Sequence, residues 1–221
     1  MGAGLQLTPN ASRILDSWGL TPKLEKCWAE VEFFIVRRYS DGSILYKDEN
    51  WSAKMRQRYG APFVDVHRGE LQLTMYRHAL ALGVQIRLGE DVESICTEHV
   101  QVTTTAGHTF HGDLLVGADG LWSKCREALL GCKDEPKPTG DLAYRILLDM
   151  EDLTDPEVRE LIARPGNNLW IGPRSHVIGY PVKAGTLINL VLLCSDNLPE
   201  GVRVQTGDLA EMTAIFKEWD P

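Results

Sequence analysis

"DLLVGADGLWSKCREALLG", from Asp113 to Gly131, is the stretch on which the reading of this chain turns. A continuously apolar run, Leu114, Leu115 and Val116, enters a turn holding Gly117, Asp119 and Gly120, and a helical pattern then runs to about Leu130. An unbroken apolar run suits a strand buried on both faces, where a half-buried strand would alternate. Gly117 and Gly120 let the backbone approach a ligand or take a positive φ. Asp119 offers acceptors to sugar hydroxyls, Ser123 suits a helix N-cap, and helix N-terminal amides attract phosphate. On spacing alone two readings stand side by side: a nucleotide-binding turn, and an ordinary strand-to-helix connection. The dinucleotide fingerprint G-x-G-x-x-G does not occur, and "GAG" at Gly2–Gly4 has neither a preceding strand nor the third glycine.

Upstream, Thr8-Pro9 followed by Ile14, Leu15 and Trp18 predicts a capped helix ended by Gly19. "VEFFIVRRYSDGSILYK" predicts a hairpin about Asp41-Gly42, and 48–62, with no clear period, a loop. "VHRGELQLTMYRHALALG" predicts a helix stopped at Gly83, with Leu73, Tyr76 and Leu80 among its apolar residues. "VQIRL", "VESIC", "VQVTTT" and "HTFHGDLLVG" read as short strands.

Downstream, "GCKDEPKPTGD" reads as a linker. "LAYRILLDM", "NLWIG", "HVIGYPV" and "LINLVLLC" read as strands of mainly antiparallel pairing, with helices from Asp155-Pro156 and within "GDLAEMTAIFKEW". This layout predicts an α/β protein of two lobes with a cleft between them.

The chain has 221 residues, is 43% apolar, and carries a formal charge of −8. That acidity argues against a nucleic-acid partner. No apolar run approaches the ~18 residues of a membrane span, and no secretory signal order is visible. "MGAGLQ" fails as a myristoylation site because Gln6 stands where Ser or Thr is required. Five scattered cysteines without a C-x-x-C pair read as reduced thiols of a cytoplasmic protein. His108 and His111, three apart in a strand-like run, point to opposite faces, so no metal site is expected.

"GADGLWSKCR" resembles the Asp-Gly motif of the FAD-dependent aromatic hydroxylases, single-component monooxygenases similar to salicylate hydroxylase and 6-hydroxynicotinate monooxygenase. "GAGLQLTPNASRILDSWGL", "VHRGELQLTMYRHAL", "DVESI" and "HVIGYPVKAGTLINLV" resemble further segments of that family in the family's order. The resemblance implies a partial Rossmann-like FAD-binding domain (1–30 and 61–137) with a mainly antiparallel β-sheet substrate lobe (31–60 and 138–221). It places Asp119 and Gly120 at the ribose and pyrophosphate of FAD, Arg68 at its phosphate and flavin region, and Val92 with its backbone near the adenine. An arginine's fixed fork of donors suits a pyrophosphate. Gln6 falls near the isoalloxazine ring and substrate, where some relatives carry a basic histidine. Tyr180 and His176 fall where the substrate lobe faces the flavin, a buried structural role for Tyr180 being the competing reading. No catalytic residue is assigned.

The activity implied is oxygen insertion into a small aromatic ring: NAD(P)H reduces FAD, O2 is captured as a flavin C4a-hydroperoxide, and one oxygen atom is transferred. A homodimer is one state open to such a protein. A non-catalytic interaction module and a same-fold flavin enzyme with a non-aromatic substrate are the competing functions. The family's first βαβ unit and its late Gly-Asp segment have no counterpart here, Gly207-Asp208 reading as a helix start. The expectation is therefore that the chain is part of a longer polypeptide and by itself binds FAD weakly.

Overall fold

In the computed structural model, which describes residues 3–220, the chain divides into two units. One takes in the chain up to Leu82 and again from Gly140, and the other is Gly83–Thr139. In chain order the elements are β1 (Gly4–Leu7), α1 (Pro9–Ser17), α2 (Thr21–Leu24), β2 (Trp28–Glu30), β3 (Phe33–Arg38), β4 (Ile44–Asp48), α3 (Trp51–Tyr59), β5 (Val64–His67) and α4 (Arg68–Ala81). The second unit holds β6 (Val92–Cys96), β7 (Gln101–Thr104), β8 (Thr109–His111) and α5 (Lys124–Leu130). The chain returns with β9 (Asp141–Asp149), α6 (Pro156–Ala163), β10 (Gly166–Gly172), β11 (Ser175–Val182), β12 (Leu187–Ser195) and α7 (Leu209–Ile215).

The first unit is built on two sheets. One is antiparallel, in the order β1-β5-β2; the other has six strands, β4-β3-β10-β11-β12-β9, antiparallel except where β3 and β10 run parallel. Leu7, Trp28, Val64 and Val66 bury one face of the small sheet against Leu15, Leu20, Leu24 and Leu71 from the helical segments. Full burial of each such side chain stabilises by roughly 1.5–3 kcal/mol. The opposite face carries Gln6, Ala29 and Asp65, because directly opposed residues share a face and neighbours along a strand alternate. Strand β11 of the large sheet packs against β5 and β2. The second unit is the antiparallel sheet β6-β7-β8 with α5 packed on β6. No helix of the described residues is long and apolar enough to cross a membrane.

The mixed α/β class with mainly antiparallel strands is as expected. The helix after Thr8-Pro9 forms, but the Thr8 hydroxyl turns to the Asn10 side chain rather than to a backbone N–H. Gly42, at φ +64°, turns the β3–β4 hairpin, and Asp208 caps α7 through the N–H groups of Ala210 and Glu211.

Three local expectations fail. The expected loop 48–62 contains α3, which buries none of its residues and so has no apolar period to read; its stop signal is Gly60 in the left-handed region. "VQIRL" forms no strand. Residues 113–117, expected as a strand buried on both faces, form no strand and pair with none among the described residues, leaving Leu114 80% and Val116 74% exposed. An apolar run supplies the side chains of a buried strand, but only a neighbouring strand supplies its hydrogen bonds. On α4 it is Leu71 that is buried, while Leu73 and Leu80 are exposed. The reading of "GAG" and of the myristoylation pattern falls partly on Met1 and Gly2, outside the described residues.

Candidate functional site

Four chemically active side chains meet in the first unit, between β1, β5, β11 and β12. Gln6 lies opposite Asp65 in the β1–β5 register, and its Nε2 donates to Asp65 Oδ1 at 3.2 Å. Two residues earlier, the Gly4 N–H donates to Asn189 Oδ1 at 2.9 Å, tying β1 to β12. Asn189 stands opposite Tyr180 in the β11–β12 register. The Tyr180 ring lies so close to Gly4 that a Cβ there would come within 2.6 Å of Tyr180 Cε2. Glycine is needed at position 4 for close approach of two chain segments, not for a phosphate.

This layer is polar yet closed to solvent. Asp65, Asn167 and Asn189 are fully buried and Tyr180 is 4% exposed. Burial pushes the Asp65 carboxyl well above its ordinary pKa, the Gln6 amide opposing this only in part. Burial, and then the nearby Asp65 charge, push the Tyr180 phenol up to about 12, against the positive charges of Arg145 and Arg68. Asp65 Oδ2, His67 Nδ1, Asn189 Nδ2 and both polar side-chain atoms of Asn167 are buried without a hydrogen-bond partner among the described residues. Polar atoms left this way are ordinarily served by bound water or by a ligand.

Arg68 opens α4, its backbone N–H donating to Ala3 O at 3.1 Å. Its side chain is exposed and makes no ion pair among the described residues, so its guanidinium is available to an anion. His176 lies four residues before Tyr180 on β11, half-buried and opposite Leu193. At strand rise that is about 13 Å away, on the same face. Gln6, Arg68 and Tyr180 are thus brought together, with His176 further along the strand.

The sequence reading missed Asp65, Asn189 and Asn167. Each had a signal: a carboxylate inside the apolar "FVDV", an amide inside "LINLVLL", and the Asn pair before "LWIG". Polar residues inside otherwise buried strands ask for partners.

In the second unit the Gly-Ala-Asp-Gly turn is held by its own helix. Asp119 Oδ1 accepts from Ser123 Oγ at 2.6 Å and Oδ2 from the Cys125 N–H at 3.0 Å, while Ser123 Oγ accepts from the Arg126 N–H at 2.9 Å. The Cys125 amide and then the Ser123 hydroxyl hold the Asp119 carboxyl well below the usual carboxylate range. Arg126 is itself engaged, its Nε donating to Asp134 at 2.6 Å and its Nη2 to the carbonyls of Leu121 and Asp134. Gly120 has φ +70°, as a turn glycine should. Gly117 is required for another reason: a Cβ there would stand 2.5 Å from Cys125 Cβ and 2.9 Å from its Sγ.

Asp119 and Gly120 are exposed, and Val92, at the start of β6, is half-buried opposite Thr104. An open cavity of about 480 Å³ lies within this unit, walled by Ile95, Leu114, Leu115, Gly117, Cys125 and Leu129 among others, and Asp119 does not line it. Its walls suit an apolar occupant better than a phosphate.

Comparison with known proteins places this chain among FAD-binding proteins. The family model described as "FAD binding domain" matches residues 13–185. A protein of Beauveria bassiana named FAD-dependent monooxygenase OpS4 is 45% identical over 224 residues, covering all of this chain and 52% of its own length. The 3-hydroxybenzoate 6-hydroxylase of Klebsiella oxytoca is 31% identical, covering all of this chain and 54% of its own. Among solved structures, Klebsiella pneumoniae HpxO, complexed with FAD and uric acid, superposes with a TM-score of 0.81 at 23% identity, over all of this chain and 54% of that one. The chain spans about half the length of the curated relatives it matches.

Proposed function

The chain belongs to the FAD binding domain family, and on that premise we propose that it forms part of an FAD-dependent monooxygenase that hydroxylates a small aromatic substrate with NAD(P)H and O2. The observation that carries this reading is the meeting of Gln6, Arg68 and Tyr180 around a buried polar layer in the first unit. These are the residues that the family resemblance assigns to flavin and ring.

The donor set fits the cofactor. The exposed Arg68 guanidinium offers a forked donor to phosphate oxygens, and the polar atoms about Asp65 and Asn189 that lack partners among the described residues mark a place for bound water or a ligand. Bound FAD, reduced by NAD(P)H, supplies activation of O2 and delivery of one oxygen atom to the ring. The chain's residues do the rest. Gln6 presents a carboxamide to flavin and substrate, and Tyr180, kept protonated at neutral pH, is a hydrogen-bond donor to an oxygen of the ring. His176 stands at the same sheet face. Asp119 and Gly120 in this reading meet the ribose and pyrophosphate of the cofactor, and the backbone of Val92 its adenine. In this reading 1–30 and 61–137 bind FAD, 31–60 and 138–221 form the substrate lobe, and the enzyme works in the cytoplasm.

A fluorescence titration of FAD with the purified chain tests the assignment, alongside NAD(P)H oxidation with a panel of hydroxybenzoates. Weak but saturable quenching, which Arg68→Ala weakens further by about tenfold, is expected, the size of one lost charge-assisted contact. Absence of saturable quenching, or NAD(P)H oxidation that no aromatic acid stimulates in the FAD-loaded protein, would count against it.

A further inference from the structure

We propose that Asp65 is a positioning residue of the candidate site: it stands between the two sheets as the neutral acid and fixes the carboxamide of Gln6. The role given to that carboxamide rests on the reading above, in which Gln6 faces flavin and ring. The state of Asp65 does not.

The argument is one of partners. Asp65 is fully buried, and its one hydrogen bond among the described residues is from the Gln6 amide. Its cross-strand neighbours are Gln6 on β1 and Ala29 on β2. The titratable and charged groups nearby are His67, two residues on along the same face of β5, Tyr180 on β11, and Arg68 and Arg145, whose charges act on Tyr180. None makes an ion pair with Asp65.

An ionised carboxylate here would be a buried charge held by one neutral amide, the arrangement that folded proteins avoid by changing protonation state. The neutral acid leaves only one O–H, on Oδ2, to be served. Its carbonyl oxygen accepts from Gln6 Nε2. With one amide hydrogen held, the half-buried Gln6 side chain loses its freedom to rotate, and its remaining carbonyl and N–H are aimed as a fixed pair. Surface glutamines pay rotamer entropy on engaging a ligand; one fixed beforehand does not.

Two variants of the purified chain separate the outcomes. Asp65→Asn keeps the shape and the acceptor but cannot ionise, and Asp65→Leu removes the acceptor. The first measurement is denaturant stability from about pH 4 to 8, where an unfolded aspartate releases its proton near the low end. A folded-state proton held longer than the unfolded one makes stability fall as pH rises through that window. Wild type should therefore lose stability relative to Asp65→Asn as pH rises. Wild type gaining on Asp65→Asn over the same window is the behaviour of an ionised, paired carboxylate, and overturns the proposal.

The second measurement is hydrogen exchange of the Gln6 side-chain amide by 15N NMR, the signal identified by its loss in Gln6→Ala. Protection in wild type and in Asp65→Asn, and exchange faster by about tenfold or more in Asp65→Leu, are expected. A Gln6 amide unprotected in wild type overturns the positioning role, and Asp65→Asn decides the matter even if Asp65→Leu does not fold. Neither readout needs FAD, so a chain that fails to bind FAD would sink the functional reading while leaving this one to stand or fall by itself.

Discussion

The Asp119 carboxylate accepts the backbone N–H of Cys125 at 3.0 Å, so the acid of the glycine turn is also the anchor of the helix that follows it. Its second oxygen takes the Ser123 hydroxyl. Asp119→Asn can serve one of these donors with its single carbonyl, not both. A loss of about 1 kcal/mol at neutral pH is expected, the ordinary net worth of one such bond. Because the folded-state pKa is depressed, the wild-type advantage is fully present above the unfolded carboxyl pKa near 4 and fades as pH falls below it. Urea denaturation of both proteins at neutral pH and at about pH 3 checks the size and the direction.

Ser123→Ala tests the next link, since the Ser123 side chain is the N-cap acceptor for Arg126 and the donor to Asp119. Removing it should cost about 1 kcal/mol or somewhat more, a typical N-cap loss, and should abolish part of the acid sensitivity as well. A double variant with Asp119→Asn should be less damaging than the sum of the two, because they share a bond.

Gly117→Ala addresses whether the first glycine of the turn serves a ligand or the packing of α5. The added Cβ would sit 2.5 Å from Cys125 Cβ, and overpacking of that kind costs roughly 1–3 kcal/mol. Cys125→Ala should give no relief, since it retains the atom in the way. Thermal denaturation of the cofactor-free chain is the measurement. An unchanged midpoint, with weakened FAD binding, would return Gly117 to the ligand.

The elements with local punctuation were legible in the sequence. Gly19, Gly42 and Gly83 take positive φ where stops and turns were expected, and Asp155 and Asp208 cap the helices they precede. What could not be read depends on distant partners. "DLLVG" has the composition of a buried strand but no strand among the described residues to pair with, and α3 buries no face from which a period could arise. The site divides in the same way. Arg68, Gln6, Tyr180 and Asp119 stood out through a family resemblance. Asp65 and Asn189 acquire meaning only once β1 is laid against β5 and β12.

Asn189→Ala tests the tie between β1 and the large sheet. It leaves the buried Gly4 N–H without its acceptor, and an unpaired buried donor costs about 1–3 kcal/mol before the cavity is counted. Asn189→Asp keeps an acceptor but introduces a buried carboxyl, and should be tolerated at acid pH and increasingly destabilising as pH rises. Hydrogen exchange of the Gly4 amide, slow in wild type and fast in Asn189→Ala, reads the bond directly.

Tyr180 carries a prediction at the other end of the pH scale. Its phenol is raised to about 12, chiefly by burial, while the unfolded chain releases the same proton near pH 10. The folded protein therefore holds the proton over that interval and the unfolded chain does not, so this residue's contribution to stability is intact below about pH 10 and declines as pH rises toward 12. Tyr180→Phe should flatten that part of the decline and remove one late-titrating phenol from the near-ultraviolet phenolate signal. A second remains, because Tyr144, hydrogen-bonded to Glu211, is also raised to about 12. If Tyr180→Phe instead removes a phenol that titrates near 10, the ring is reached by solvent, and the closed polar layer around Asp65 and Asn189 is open in solution.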